Sequence, residues 1–374
     1  MAIGLVSIIA AFASDPHQAW ANLLVDNFFF LAIALFGTFF IAFQYLTESG
    51  WSAVIKRIPE AMAQYLYIGG PLFLIVIFAG NHNIFHWMDH ELFEEGSPHF
   101  DKIIAGKEAF LNPVFFYVRS VIYIAGWIVG TYFLRKYSLQ EDLQGGLKWH
   151  KKSIKASAGF VVFFAVSTSI AAWDWIMSID AHWFSTLFGW YVFLGFWVSG
   201  TTFALLFTIY LKRKGYLQEV NENHLHDMGK WMFATSMVWA YLWVSQFLLI
   251  WYANIPEEVT YYQFRIEEYA LPFFGMVIVN FFLPFFVLMS RDAKRHTGLL
   301  TMVGGIIFLG HWYDVQMMVI PGIVQEHGHI GFAEWGMFLG FLGLFLFVVQ
   351  NALAKAPMVV KNHPFLEESL HHHY

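Results

Sequence analysis

Long apolar runs, broken at intervals by short polar stretches, dominate this chain of 374 residues. Ten of them read as membrane helices, at about residues 2–14, 20–46, 61–80, 113–134, 155–177, 183–211, 229–252, 269–290, 298–320 and 334–354. Most exceed the ~18 apolar residues that crossing a bilayer needs, and none shows the ten-residue alternation of a membrane β-barrel. The first is short. Its stretch from Ile3 to Ser14 has no basic lead and no Ala-x-Ala cleavage site, so it reads as a short span open to continuing upstream and not as a signal peptide. Gly69-Gly70-Pro71 and Pro284 predict kinks in the third and eighth spans.

The charges divide sharply between the two sets of connections. Those after spans two, four, six and eight, with the C-terminal tail, hold 17 Lys and Arg residues, from Lys56 and Arg57 to Lys355 and Lys361. The opposite set holds three, Lys102, Lys107 and Arg265, and is rich in acids such as Asp89, Glu94, Asp101 and Glu257. The positive-inside rule then puts both termini in the cytoplasm. Composition agrees with this picture: 58% of residues are hydrophobic and only 13% charged, where a soluble chain carries about 25%. The predicted fold class is an all-α polytopic membrane protein, residues 1–374 forming one integral membrane domain. No cysteine is present, which excludes disulfides, thiolate-held iron–sulfur clusters and covalent c-type haem within the chain. No basic cluster has the aromatic interleaving of a nucleic-acid surface.

Polar residues at membrane depth are costly and mark candidate sites. Asp174 and Asp180 lie in the tryptophan-rich stretch from Trp173 to Trp190, between two spans. A weaker copy follows about 140 residues later, with Trp312-Tyr313-Asp314, Pro321-Gly322 and Glu334-Trp335. Two acids at matching places suggest a duplicated architecture. Asp26, Arg119 and Gln246 fall at the same outer level by residue count, and His311 precedes Asp314 by three residues, on the same helix face. A carboxylate beside a histidine suits proton transfer, and Arg119 would supply the countercharge for a buried acid. The plainer reading is that each acid is satisfied by Arg119, an indole or water.

Other histidines count for less. His311 is the one histidine clearly within a span, so bis-histidine haem ligation is not expected. His82, His86 and His90 have i, i+4, i+8 spacing and read as an amphipathic interfacial helix before a metal site. His371-His372-His373 reads as a solvated tail. In the inner half, a ladder including Ser167, Thr201, Thr202, Thr235, Ser236 and Asn280 is a weak proton path, since such hydroxyls usually bond to their own backbone.

Three stretches carry a family resemblance: Met237 to Glu258, His224 to Lys230, and Ala171 to Asp180. They resemble the membrane subunits of the NrfD/polysulfide-reductase type, in particular the smaller of the two such subunits of alternative complex III, the bacterial quinol:cytochrome c oxidoreductase. The resemblance implies two four-helix bundles, at about 20–177 and 183–320, plus two peripheral helices, with 334–374 as last helix and tail. It implies a bacterial inner-membrane location, and as partners a paralogous quinol-binding subunit, an iron–sulfur protein and c-type cytochrome subunits, besides lipids and the quinol pool. Haem c and iron–sulfur clusters then belong to those partners. This chain would hold no redox cofactor, and would scaffold the complex as a candidate proton conductor. Two alternatives stand beside it: a quinol pocket of its own at the outer face, with His311, Asp314 and Arg119 as ligands, or an independent secondary transporter.

Overall fold

A segment in hydrocarbon must pair its own backbone N–H and C=O groups, and helices do so without help from neighbours. The computed structural model, which describes residues 1–373, is accordingly helical, and among the described residues there is no strand. Its principal helices are α1 (Ala2–Ser14), α2 (Pro16–Leu46), α3 (Arg57–Ala63), α4 (Leu66–Ala79), α5 (Pro113–Gln144), α6 (Leu147–Trp175) and α7 (Phe188–Arg213). They continue with α8 (Glu222–Ala253), α9 (Pro256–Glu268), α10 (Ala270–Val277), α11 (Leu283–Leu288), α12 (Thr297–Ile323), α13 (Phe332–Leu353) and α14 (Leu366–Leu370). Local chemistry sets several starts. Asp15 caps α2 through the His17 and Gln18 amides with Pro16 behind it, Asn112 caps α5 ahead of Pro113, and Asn221 with His224 closes a capping box on α8.

Among the described residues, nine spans are long and apolar enough to cross a membrane, taking α3 with α4 and α10 with α11 as one each. The chain is an all-α polytopic membrane protein. The first predicted span is the exception: α1 has 13 residues, about 20 Å, against a core of about 30 Å. It lies along α13 at a glycine contact, where a Cβ on Gly4 would sit 2.4 Å from Gly340 Cα. Small residues let the two backbones approach this closely.

The helices form two four-membered groups, α2, α3–α4, α5 and α6, then α7, α8, α10–α11 and α12. Helices α1 and α13 pack together outside them. Residues 21–42 of α2 are all buried, because α2 also touches α7, α12 and α13 and so joins both bundles. The kinks take a particular form. A π-helical turn, Ile278–Phe282, precedes Pro284 and absorbs the hydrogen bond that proline cannot make. Around Gly69 the helix breaks one turn earlier, between α3 and α4, and Gly69 and Gly70 leave room for Tyr65 and Ile124.

One expectation about histidines fails, and another holds in part. His82, His86 and His90 lie on three separate short turns, Asn81–Ile84, His86–Met88 and His90–Leu92, so they share no helix face. The tail docks as a strap through Ser369 and His372, while His371 and His373 are exposed as expected. The Asn221 and Asn223 amides donate to His372 O (2.9 and 3.1 Å), His372 Nε2 meets Asp227 Oδ2 (2.7 Å), and Ser369 Oγ donates to Trp51 O (2.8 Å). The Ser369 hydroxyl also accepts from the Val54 amide at 3.2 Å, an N–H at the start of the short helix Ala53–Ile55.

Candidate functional site

Asp314 sits on α12 inside the second bundle, 1% exposed. The Tyr191 hydroxyl on α7 donates to its Oδ1, and the Trp239 indole on α8 donates to its Oδ2 at 3.0 Å. His311, one turn earlier, has Nδ1 3.7 Å from Asp314 Oδ2 and lies edge-on to Trp239. No hydrogen bond reaches either ring nitrogen of His311. Gly195 on α7 keeps the space open: a Cβ there would be 3.7 Å from Asp314 Oδ2 and 3.9 Å from His311 Nδ1. Among the described residues, no lysine or arginine pairs with Asp314. The groups around its carboxylate are a phenol and an indole, both of which donate to it, and an imidazole.

Two separate spaces lie on one side of this site, with Tyr261 between them. Above it, Tyr191, Gln246, Tyr261 and Tyr262 border a void of about 10 Å³ beside Asp314. Gln246 Nε2 donates to the Tyr262 hydroxyl at 2.9 Å. Tyr261 also borders an open cleft of about 350 Å³ with Asp180, His182, Trp183 and Arg265. Trp183 stacks on Tyr261 at 3.9 Å, and Arg265 lies over its ring at 3.4 Å. Arg265 is buried here for a reason readable in α12. Pro321 lacks an N–H, which orphans the Met317 carbonyl four residues back, and Arg265 Nε donates to that oxygen at 3.0 Å. Its Nη2 bonds Met318 O and Asp180 Oδ2, each at 3.1 Å.

Arg119 belongs elsewhere. Its Nε and Nη2 clamp Asp174 Oδ2 and Oδ1 at 2.8 and 2.6 Å, the Tyr123 hydroxyl adds a bond to Oδ2 at 3.0 Å, and Phe110 and Phe115 cover the guanidinium. This pair closes the first bundle and does not touch Asp314. Asp26 on α2 takes the Trp312 indole at 2.7 Å, on a different face of α12 from Asp314. The predicted residues therefore fall into four places: His311–Asp314 with Gln246 nearby, Arg119–Asp174, Asp180–Arg265, and Asp26–Trp312. Nor are the two acids at matching places. Asp174 is one residue from the end of α6, while Asp314 is nine from the end of α12, about 12 Å deeper at 1.5 Å per residue.

The hydroxyl ladder does not form a continuous path. Thr168, Thr235 and Thr301 bond to carbonyls of their own helices, Ser167 accepts from Trp127, and Thr201, Thr202 and Ser236 have no hydrogen bond.

A second polar cluster, on the side of the basic connections, was missed by reading its charges as loop charges. Glu60 receives Arg57, Arg135 and the Ser138 hydroxyl (2.5 Å), Arg57 also reaches Asp142, and Lys56 bonds Tyr45 and Glu141 Oε2 (3.3 Å). The spacing Arg57-x-x-Glu60 and the face Arg135, Ser138, Glu141 on α5 were the available signals. No protein-family profile matches this chain, and neither does any curated protein sequence.

Proposed function

We propose that the chain is a core membrane subunit of a quinol:cytochrome c oxidoreductase of the alternative complex III type, which scaffolds the complex and conducts protons through the Asp314 site. The basic connections then face the cytoplasm of a bacterial inner membrane, with the C-terminus on that side. Quinol oxidation, haem c and iron–sulfur clusters are assigned to the partner subunits. The observation that carries the proton role is the carboxylate of Asp314, buried beside His311 and Tyr191 without a basic partner, beneath the cleft at Tyr261. A proton entering by that cleft would pass the Tyr261 and Tyr191 hydroxyls to Asp314 and exchange with His311. A quinol pocket built jointly from His311, Asp314 and Arg119 is the poorer reading, since Arg119 serves Asp174 in the other bundle.

The test is Asp314→Asn in the whole complex, reconstituted in vesicles. Assembly should be normal while quinol-driven proton release falls several-fold. Normal assembly with normal release would remove Asp314 from any proton path. Orientation is checked separately with single cysteines in this cysteine-free chain. A cysteine at exposed Lys214 should react with an impermeant thiol reagent only after the membrane is opened, and one at exposed Glu326 in intact cells. The reverse pattern inverts the assignment.

A further inference from the structure

On the basic side, away from Asp314, one cluster holds donor atoms without partners. Glu141 on α5, His150 on α6 and His363 in the tail strap each present a donor atom, and the three lie within 4.8 Å of one another. His150 Nδ1 is 3.2 Å from Glu141 Oε1. The chain brings them together by two devices. Gly145 and Gly146, with φ of +68° and +71°, turn α5 back into α6 in a conformation that side chains resist. The strap is then pinned to the same turn, Lys361 N donating to Asp142 Oδ1 and Asn362 Nδ2 to Asp142 O, both at 2.9 Å. His150 is 5% and Glu141 0% exposed; beyond their mutual contact, Glu141 Oε1 and His150 Nδ1 have no hydrogen-bond partner, and His150 Nε2 has none at all. Buried polar atoms seldom stay unsatisfied, and their cost points to an occupant. A cavity of about 20 Å³ adjoins them, lined by Gln44, Tyr45, Lys56, His150 and His363. It has room for one water-sized guest.

We propose that Glu141, His150 and His363 bind one divalent transition-metal ion of the zinc type, which fastens the C-terminal strap to the first bundle. Two imidazoles and a carboxylate with one open position are a zinc donor set, whereas calcium and magnesium take oxygen. Two donors each about 2.0–2.2 Å from a shared ion stand roughly 3–3.5 Å apart, which the 3.2 Å separation meets. Lys56 holds the other carboxylate oxygen, Oε2, and so orients Oε1 toward His150. Its positive charge also opposes the ion, so the site is of moderate affinity and tightens when that charge is removed. Coordination replaces the long bond, 3.3 Å, that His363 Nδ1 takes from the Phe365 amide.

The experiment uses the full chain in lipid nanodiscs, stripped with a chelator and titrated with Co²⁺ and then Zn²⁺. The wild type should take up one equivalent with a visible Co²⁺ absorption that Zn²⁺ displaces, and bound Zn²⁺ should slow tryptic cleavage after Lys361. His363→Gln should weaken that equivalent at least tenfold and abolish the protection, leaving the bundles folded because the change is confined to the tail. His150→Gln should weaken it likewise, Lys56→Met should strengthen it, and His311→Gln should leave it unchanged. Absence of the Co²⁺ band in the wild type, or an unaltered band and unaltered protection in His363→Gln, overturns the proposal.

Discussion

The two bundles bury a carboxylate each on their last long helix and treat it in opposite ways. In the first, Asp174 is clamped by both arms of Arg119 and by Tyr123. In the second, Asp314 has a phenol, an indole and an imidazole at 3.7 Å. The difference concerns what each acid can do. Protonating a carboxylate fixed in a two-pronged ion pair would strand the guanidinium away from water. A carboxylate with neutral donors strands nothing when it takes a proton. Similar residue types, read as one converging site in the sequence, therefore divide into an ion-paired clasp and a carboxylate held by neutral donors.

The largest effect should come from breaking the clasp. Asp174→Leu or Arg119→Leu alone leaves an unpaired buried charge, and each should cost roughly 3–5 kcal/mol in thermal unfolding of the solubilised protein. The double variant Arg119→Leu/Asp174→Leu should recover most of that loss. If the single variants melt like the wild type, Asp174 is not held as described and the contrast between bundles disappears.

Asp314→Asn is the matched substitution in the second bundle. It should cost only about 1 kcal/mol, the scale of one hydrogen bond, since the amide still accepts from one donor and no cation is stranded. A loss as large as that of the Asp174 variant would mean that Asp314 also has a structural charge partner. Tyr191→Phe removes a single donor from Asp314, and a shift of about 0.5–1.5 kcal/mol is expected with slower proton release. Unchanged release in this variant would route protons around Tyr191.

The smallest effect concerns pH at the loop that covers the first bundle. There Asp101 meets His182 Nε2 at 2.6 Å, and Lys107 donates to Ala181 O at 2.5 Å, tying the loop to the turn between bundles. Burial pushes the Asp101 carboxyl up, but the Ile104 amide, His182 and the Ile103 amide outweigh it and hold it below its ordinary value. A lowered folded value means this stabilisation is complete above the ordinary carboxylate pKa of about 3.9 and is lost as pH falls further. Asp101→Asn should flatten the acid limb of a stability–pH curve by less than about 1 kcal/mol, as the pair is solvent-screened. An unchanged limb would show that the tie does not depend on this charge.

What the sequence determined by itself is local in origin. Apolar run length marked nine of the ten predicted spans, because it depends only on neighbouring residues and on bilayer thickness. The caps at Asp15, Asn112 and Asn221 and the disturbance before Pro284 are local in the same way. Partnership was another matter. Asp174 finds Arg119 across 55 positions and Asp314 finds Tyr191 across 123, and each meeting depends on how whole helices are rotated in their bundles. The uniform hydrophobicity of α2 likewise does not distinguish a helix facing lipid from one buried on every side, since both solvents are apolar. Lys56, Arg57 and Arg135 read as loop charges until tertiary packing drew them against Glu60, Glu141 and Asp142, and His372 read as solvated until the strap docked it on Asp227. Those contacts join residues distant in sequence, and only the folded arrangement of the helices brings their charges within reach of one another.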